Sequence, residues 1–244
     1  MSDITPNELV RSSVDVVEIN PAEKAWEESS TFMQGLIGEL QKGADFSNLQ
    51  AIDVDYTTPY STSLKAYPKQ FAAVITLNQP TWAKVWAGYL DPESDVIMGK
   101  RSNGRWGGGT WAVPMGKIEL KDADKDANLG SAINNAAVRE LDEETIRTSA
   151  SERSLIASSF LDKETGNLIH VVFRETTENP INTTSLSVTL PDTREHEELG
   201  WMKLKDVPKL DNISNGVRYL FVSAVQYVQG LNQDLSANFS SKVA

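Results

Sequence analysis

The run AINNAAVRELDEETI, residues 132–146, constrains this chain more than any other stretch. Alanine, leucine, arginine and glutamate dominate it, and these are strong helix formers. On a helix, Glu140, Glu143 and Glu144 fall at i, i+3 and i+4 and share one face. Like charges at that spacing repel one another, so the face needs solvent or a cation opposite it. An acidic patch on a surface helix is common, and its bland reading is a solvated face. The functional reading is a divalent cation bound to a polyphosphate. Oxygen ligands of this kind suit a hard ion such as Mg2+ or Mn2+. Zinc suits the site poorly, because the chain has no cysteine and neither histidine lies nearby in sequence.

The rest of the composition narrows the partners. A length of 244 residues suits one large domain, or one domain with an extension. A formal net charge of −11 argues against general binding to nucleic acid or to an anionic membrane. It leaves room for a phosphorylated small molecule, because a metal ion can mediate that contact. The absence of cysteine excludes disulfides and thiol chemistry and is compatible with a reducing compartment. MSDITPNELV lacks the basic and apolar regions of a signal peptide. The longest apolar runs, such as FAAVITL (71–77), are too short to span a bilayer. A soluble cytoplasmic protein is the expectation.

Periodicity and turn residues give the order of elements. Val14, Val16 and Ile19 suggest a short strand. Pro21 opens a helix with Asn20 as its cap, and the helix runs over 22–43 to Gly43. Residues 44–67 read as loop or short strands, and YTTPYSTS is a poor helix. Strands are expected at 71–77, 84–90 and 95–100, with a turn at DPES (91–94). A glycine-rich loop, SNGRWGGG (102–109), and an extended segment, TWAVPMG (110–116), follow. KIELKDADKDANLG (117–130) is a polar excursion, and the acidic helix covers 131–146. Val138, Leu141 and Thr145 lie to one side of the carboxylates and can anchor that helix to a sheet. Residues 156–162 and 168–176 pair as a hairpin, 185–190 is a short strand, and 198–204 is the last one. A final helix spans about 212–230. Strands alternating with helices in this way indicate an α/β (α+β) layered fold around a mixed sheet. The expected division is an extension or small subdomain over 1–67, a main domain over 68–231 and a flexible tail over 232–244.

A second motif lies upstream of the acidic helix. In RWGGGTWAVPMGKIE (105–119), three consecutive glycines permit close backbone approach, and Pro114 and Gly116 impose a turn. Lys117 and Glu119 follow it. Together with RELDEE, this run resembles the Nudix hydrolases. Their signature is Gly, five residues, Glu, seven residues, Arg-Glu, an aliphatic residue, any residue, Glu-Glu, any residue, Gly and an aliphatic residue. Gly116 begins the match, and Arg139, Glu140, Leu141, Glu143 and Glu144 fill its helical half. VIMGKRSNGRW ahead of the loop and EHEELGWMKLKDVPKL (195–210) after it are also similar to the family. The resemblance spans roughly residues 68–230.

Three departures stand out. About nine residues are inserted between Glu119 and Gly130. Counting back eight residues from Arg139 puts Ser131 where the signature has glutamate. Ser131 can cap the helix there, and Asp122, Asp124 or Asp126 can supply the missing charge. Ile146 stands where the signature closes on glycine.

The resemblance implies a Nudix-like α/β/α sandwich and hydrolysis of a nucleoside diphosphate linked to another moiety. Mg2+ or Mn2+ is expected on Glu140, Glu143, Glu144 and the Gly116 carbonyl, with a water attacking phosphorus in line. Arg139 supports those ligands. Glu143 or Glu144 orients the water, or a later-loop glutamate does so, with Glu197 preferred to Glu195 and Glu198. His196 is a tempting base, although a histidine in a surface loop is more often bland. Arg101, Lys117 and Trp106 are the residues expected to meet substrate. Trp111 reads as core, Trp26, Trp82 and Trp86 suit either role, and His170 reads as a satisfied core histidine. An ADP-ribose-like or dinucleotide substrate is favoured, because the larger family members act on these, often as dimers, and a homodimer is one expectation. The alternatives are a non-catalytic binding module of the same fold and a nucleoside triphosphate pyrophosphohydrolase. No stable nucleic-acid complex and no membrane partner are expected.

Overall fold

Gln70–Asn78 (β2) forms the centre of the fold, and its residues are apolar on both sides. Ala73, Ile75 and Leu77 face one hydrophobic core, while Ala72 and Val74 face another. A strand buried on both faces requires layers on both sides of the sheet. The computed structural model describes residues 21–80, 82–103, 107–123, 127–144, 150–176 and 196–243. Helices Pro21–Gln41 (α1) and Asn215–Val243 (α4) cover the first face. Helices Tyr60–Ala66 (α2) and Leu129–Glu144 (α3) cover the second. The mixed α/β sandwich follows from that alternation.

The sheet has eight strands among the described residues. The others are Leu49–Ala51 (β1), Asp95–Arg101 (β3), Trp111–Ala112 (β4), Met115–Lys117 (β5), Ala150–Asp162 (β6), Asn167–Thr176 (β7) and His196–Lys203 (β8). The path runs β1-β6-β7-β2-β3-β4, with β5 also on β2 and β8 also on β3. Among the pairings of the described strands, only β2–β7 is parallel. Residues 21–67 join this architecture directly. Met33, Leu36 and Leu40 of α1 enter the larger core, and β1 extends the sheet from Leu49 opposite Asp162. Among the described residues, no helix is long and apolar enough to cross a membrane.

Several elements differ from the sequence expectation. Residues 84–90 are not a strand. Val85–Ala87 makes a 3-10 turn, closed by Gly88 at φ 76°. The buried carboxylate of Glu175 holds the turn by accepting from the Val85 amide at 3.1 Å and pairing with Lys84 at 3.5 Å. YSTSLKA, a poor helix by propensity, is helical as α2. The Tyr60 hydroxyl donates to the Ile118 carbonyl at 2.8 Å, and Ser63 bonds the buried Gln70, so tertiary contacts override weak local preference. The last helix does not stop near 230 but continues to Val243, and buried Asn232 donates to the Gly88 carbonyl at 2.9 Å. The strands expected at 14–19 and 185–190, together with Asn20, lie outside the described residues.

His170 is buried in β7 with both ring nitrogens partnered. Nε2 donates to Gln70 Oε1 at 3.0 Å, and Nδ1 accepts from the Ser159 hydroxyl at 2.7 Å, which in turn lies 2.9 Å from the Tyr56 hydroxyl. Burial pushes its pKa down from the ordinary 6.5 to about 3. Below about pH 6.5 the unfolded chain therefore binds a proton that the folded ring refuses, and stability falls as the pH is lowered toward 3. His170→Gln should flatten that fall. Urea midpoints compared between pH 7 and pH 4 would check it.

Candidate active site

The loop from Gly116 and the helix α3 are stitched together by one side chain, Arg139. Its guanidinium grips Asp122 in a fork, Nε to Oδ1 and Nη2 to Oδ2, both at 2.9 Å. Nη2 also donates to the Lys117 carbonyl at 2.8 Å. Nη1 reaches Glu140 and, at 3.2 Å, Glu143. Asn135 adds a bond to the Asp122 carbonyl at 2.9 Å. Asp122 is fixed from its own side as well, because Leu120–Asp122 forms a 3-10 turn with a reciprocal cap to Glu119. A paired fork of this kind is among the stronger charge-assisted contacts.

This geometry corrects the reading of the insertion. Counted forward from Gly116, the signature's glutamate position falls on Asp122, and Asp122 is the carboxylate that meets Arg139. The additional residues therefore lie after Asp122. Ser131 takes no part in this pairing and does not cap the helix. It is exposed inside α3, and its amide donates to Asn128 Oδ1 at 2.8 Å, so Asn128 is the capping side chain. Asp124, Asp126 and Ile146 lie outside the described residues. The signal that separates Asp122 from Asp124 and Asp126 in the sequence is its distance of six residues from Gly116.

Glu140 and Glu144 are buried, whereas the Glu143 side chain is 55% exposed. The Glu140 carboxylate lies against Gly116, where any β-carbon would collide with it. Burial raises the pKa of Glu140 to about 7; Arg139 opposes the shift, and Glu144 and Glu143 add to it. Burial is the largest single influence on Asp122 and opposes its ionisation, but the Arg139 hydrogen bond, the bond with the Glu119 backbone and the charges of Arg139 and Lys121 together outweigh it, and the pKa falls below the ordinary value. The bond between Asp122 and Arg139 raises the pKa of Arg139 further. Leu141 packs with Ile97 and Leu199, anchoring the end of α3 to β3 and β8. Val138 is 39% exposed and does not serve as an anchor, and Thr145 lies outside the described residues.

Glu144 meets a residue that the sequence placed in a surface loop. His196 is 1% exposed, at the start of β8, and its Nε2 lies 2.6 Å from Glu144 Oε2. Glu197 does not reach the glutamates through any described contact. Its Oε1 accepts from the Asn103 amide at 2.7 Å and holds the hairpin that follows β3. Glu198 pairs with Lys100 at 3.4 Å. Arg101 ends β3, where its amide and carbonyl bond Thr110 and Gly109 across the hairpin. Lys117 is exposed on β5, and its carbonyl serves Arg139. Trp106 and Glu195 lie outside the described residues. Trp26 and Trp82 gather on Tyr89, at ring separations of 6.0 and 5.8 Å, and half-buried Trp111 packs against the larger core.

The carboxylates fit a hard divalent cation in chemistry, but they are not closed into a cage. Among the described residues, no three acidic or imidazole groups converge closely enough to hold a metal ion as the side chains stand. Arg139 pairs with Glu140 and Glu143, and His196 pairs with Glu144. The fit lies in the donor type: burial raises Glu140 first, Glu144 and Glu143 add a smaller repulsion, and a cation would relieve that repulsion. Gly116→Ala tests the cradle. The atoms nearest the new methyl are the carboxylate end of a flexible glutamate, so the fold should persist while Glu140 swings off the loop. Thermal unfolding close to that of the parent, with Mn2+ affinity at least about tenfold weaker, is the expected pair of results.

A mixed α/β sandwich carrying a glycine loop, an arginine fork and a glutamate helix defines a class, and comparison with known proteins names it. The NUDIX domain model matches residues 83–221, more than half of the chain, and the chain belongs to the Nudix family. Among solved structures it is similar to RenU, a Nudix hydrolase from M. smegmatis, at 15% identity over 69% of this chain and 86% of that one, with a TM-score of 0.37. It is also similar to NrtR from Shewanella oneidensis, at 13% identity over 72% and 84%, with a TM-score of 0.39. An ADP-ribose pyrophosphatase from Streptococcus suis matches at 14% identity over 64% and 91%, with a TM-score of 0.36. None of the curated proteins compared with the chain matches it.

Proposed function

We propose that the protein hydrolyses the phosphoanhydride of a nucleoside diphosphate linked to another moiety, with an ADP-ribose-like compound or a dinucleotide as substrate and Mg2+ or Mn2+ as cofactor. The observation that carries this reading is the Arg139 fork. It holds Glu140 and Glu143 beside the Gly116 loop and leaves Glu144 one turn away on the same helix. Glu140, Glu143, Glu144 and the Gly116 carbonyl are the groups that would hold the cation. When bound, the cation would neutralise charge on the pyrophosphate oxygens and polarise the bond to be broken.

The remaining steps belong to the chain. Arg139 keeps the carboxylates in place and ties the loop to the helix. Glu143, the exposed member of the three, orients the attacking water and accepts its proton. Glu197 acts at one remove, by bracing the hairpin next to Arg101. Arg101, Lys117 and Trp106 are assigned to the substrate.

A second reading is favoured by one observation, the lack of three converging ligand groups among the described residues. In that reading the fold binds a nucleotide without turning it over. A panel of ADP-ribose, NADH, diadenosine polyphosphates, nucleotide sugars and dNTPs, incubated with Mg2+ or Mn2+, separates the two. Release of a mononucleotide from one member supports the enzyme. Binding without release from any member supports the module.

A further inference from the structure

We propose that His196 is a positioning residue that sets the orientation of the Glu144 carboxylate toward the metal, with Gly99 keeping the space its ring needs. The inference rests on the metal-site reading above and adds to it a residue outside the glycine loop and the glutamate helix.

Four observations meet at this point. First, the contact is buried from both sides, with 1% of the His196 side chain and 5% of the Glu144 side chain exposed. A carboxylate can only accept, so Nε2 donates, and the bond selects one oxygen, Oε2. The other oxygen, Oε1, faces the Met115 amide at 3.4 Å, so strands β8 and β5 hold the carboxylate between them. Second, Nδ1 of His196 is buried without a hydrogen-bond partner among the described residues. His170, the other buried histidine, has both nitrogens satisfied. A ring placed only for packing has no reason to bear an unmet nitrogen, which costs free energy. Third, a β-carbon on Gly99 would collide with the imidazole, so the ring lies directly against the β3 backbone. Fourth, the β3–β8 register shifts between Lys100 and Arg101, where Arg101 pairs with His196. Irregularities of this kind re-aim a side chain. The strand end is thus built to turn one imidazole toward one carboxylate.

The groups that hold a metal ligand in place commonly matter to affinity by about 10–100-fold. Mn2+ binding, followed by the loss of the free-ion EPR signal, tests the role without any substrate. His196→Ala should weaken Mn2+ binding by about tenfold or more. His196→Gln keeps an amide donor near the Nε2 position and should recover most of that loss. Gly99→Ala, which leaves the imidazole intact but displaces it, should reproduce the His196→Ala defect. In a His196→Ala background the same Gly99→Ala change should cost nothing further, since the ring it strikes is gone.

Three results would overturn the role. Parent-like Mn2+ affinity in both His196→Ala and Gly99→Ala, with Glu144→Gln still impaired, would remove His196 and leave the metal site standing. A defect in His196→Ala that His196→Gln does not relieve would assign the residue to packing alone. Parent-like affinity in Glu144→Gln would reject the metal site itself, and the positioning role with it.

Discussion

Arg139→Ala should destabilise the protein by roughly 3–5 kcal/mol, the usual cost of removing one partner from a buried ion pair. Asp122, with 4% of its side chain exposed, would be left charged and without its fork. The Lys117 carbonyl and the two glutamates would lose the same donor group. Against a typical total of about 5–15 kcal/mol, this is a large fraction. Arg139→Lys should recover little, because an ammonium cannot span both Asp122 oxygens and still reach the carbonyl and the glutamates. Replacing Asp122 with alanine as well should restore part of the loss, since the stranded charge is then gone. Urea unfolding of the three variants checks this. A loss below about 1 kcal/mol for Arg139→Ala would mean that the fork behaves as a surface pair.

The second large effect is on turnover. Glu143→Gln and Glu144→Gln each exchange a charged oxygen donor for a neutral amide of the same size. A bound cation supplies several kcal/mol of charge stabilisation in reactions of this type, and each 1.4 kcal/mol is about a factor of ten in rate. Each variant should therefore lose on the order of 10²–10³ in kcat. The two should differ in stability. Exposed Glu143 loses only an i, i+4 charge pair with Arg139, whereas buried Glu144 faces two donors, His196 Nε2 and the Met115 amide, and its amide replacement has one accepting oxygen for both. Glu144→Gln should unfold earlier than Glu143→Gln in a thermal scan.

The layered fold was legible because its signals are periodic. The short apolar run FAAVITL and the helical spacing of RELDEE can be read without tertiary information. Residues 84–90 read as a strand in sequence because KVWAGYL has strand-like residues, but the backbone at Val85 is held by a distant carboxylate, Glu175. YSTSLKA is the opposite case, since its helix is made by bonds to Ile118 and Gln70. In the candidate site, the shared helical face of the three glutamates could be read from their spacing, whereas Gly116 entered only through the resemblance to the Nudix signature. Asp122 is hard to single out because the extra residues follow it, so the signature spacing back from Arg139 lands on Ser131. His196 was obscured because burial is a property of the strand it ends in, and a polar sequence such as REHEELG gives no sign of it.

The most direct test is mononucleotide release measured against Mg2+ concentration for the parent protein and for Glu144→Gln, with ADP-ribose as substrate. Release that is absent without Mg2+, saturates with it and falls at least about a hundredfold in the variant is the predicted result. Release that proceeds equally in both proteins, or that ignores Mg2+, would contradict a hydrolytic site built on the glutamate helix.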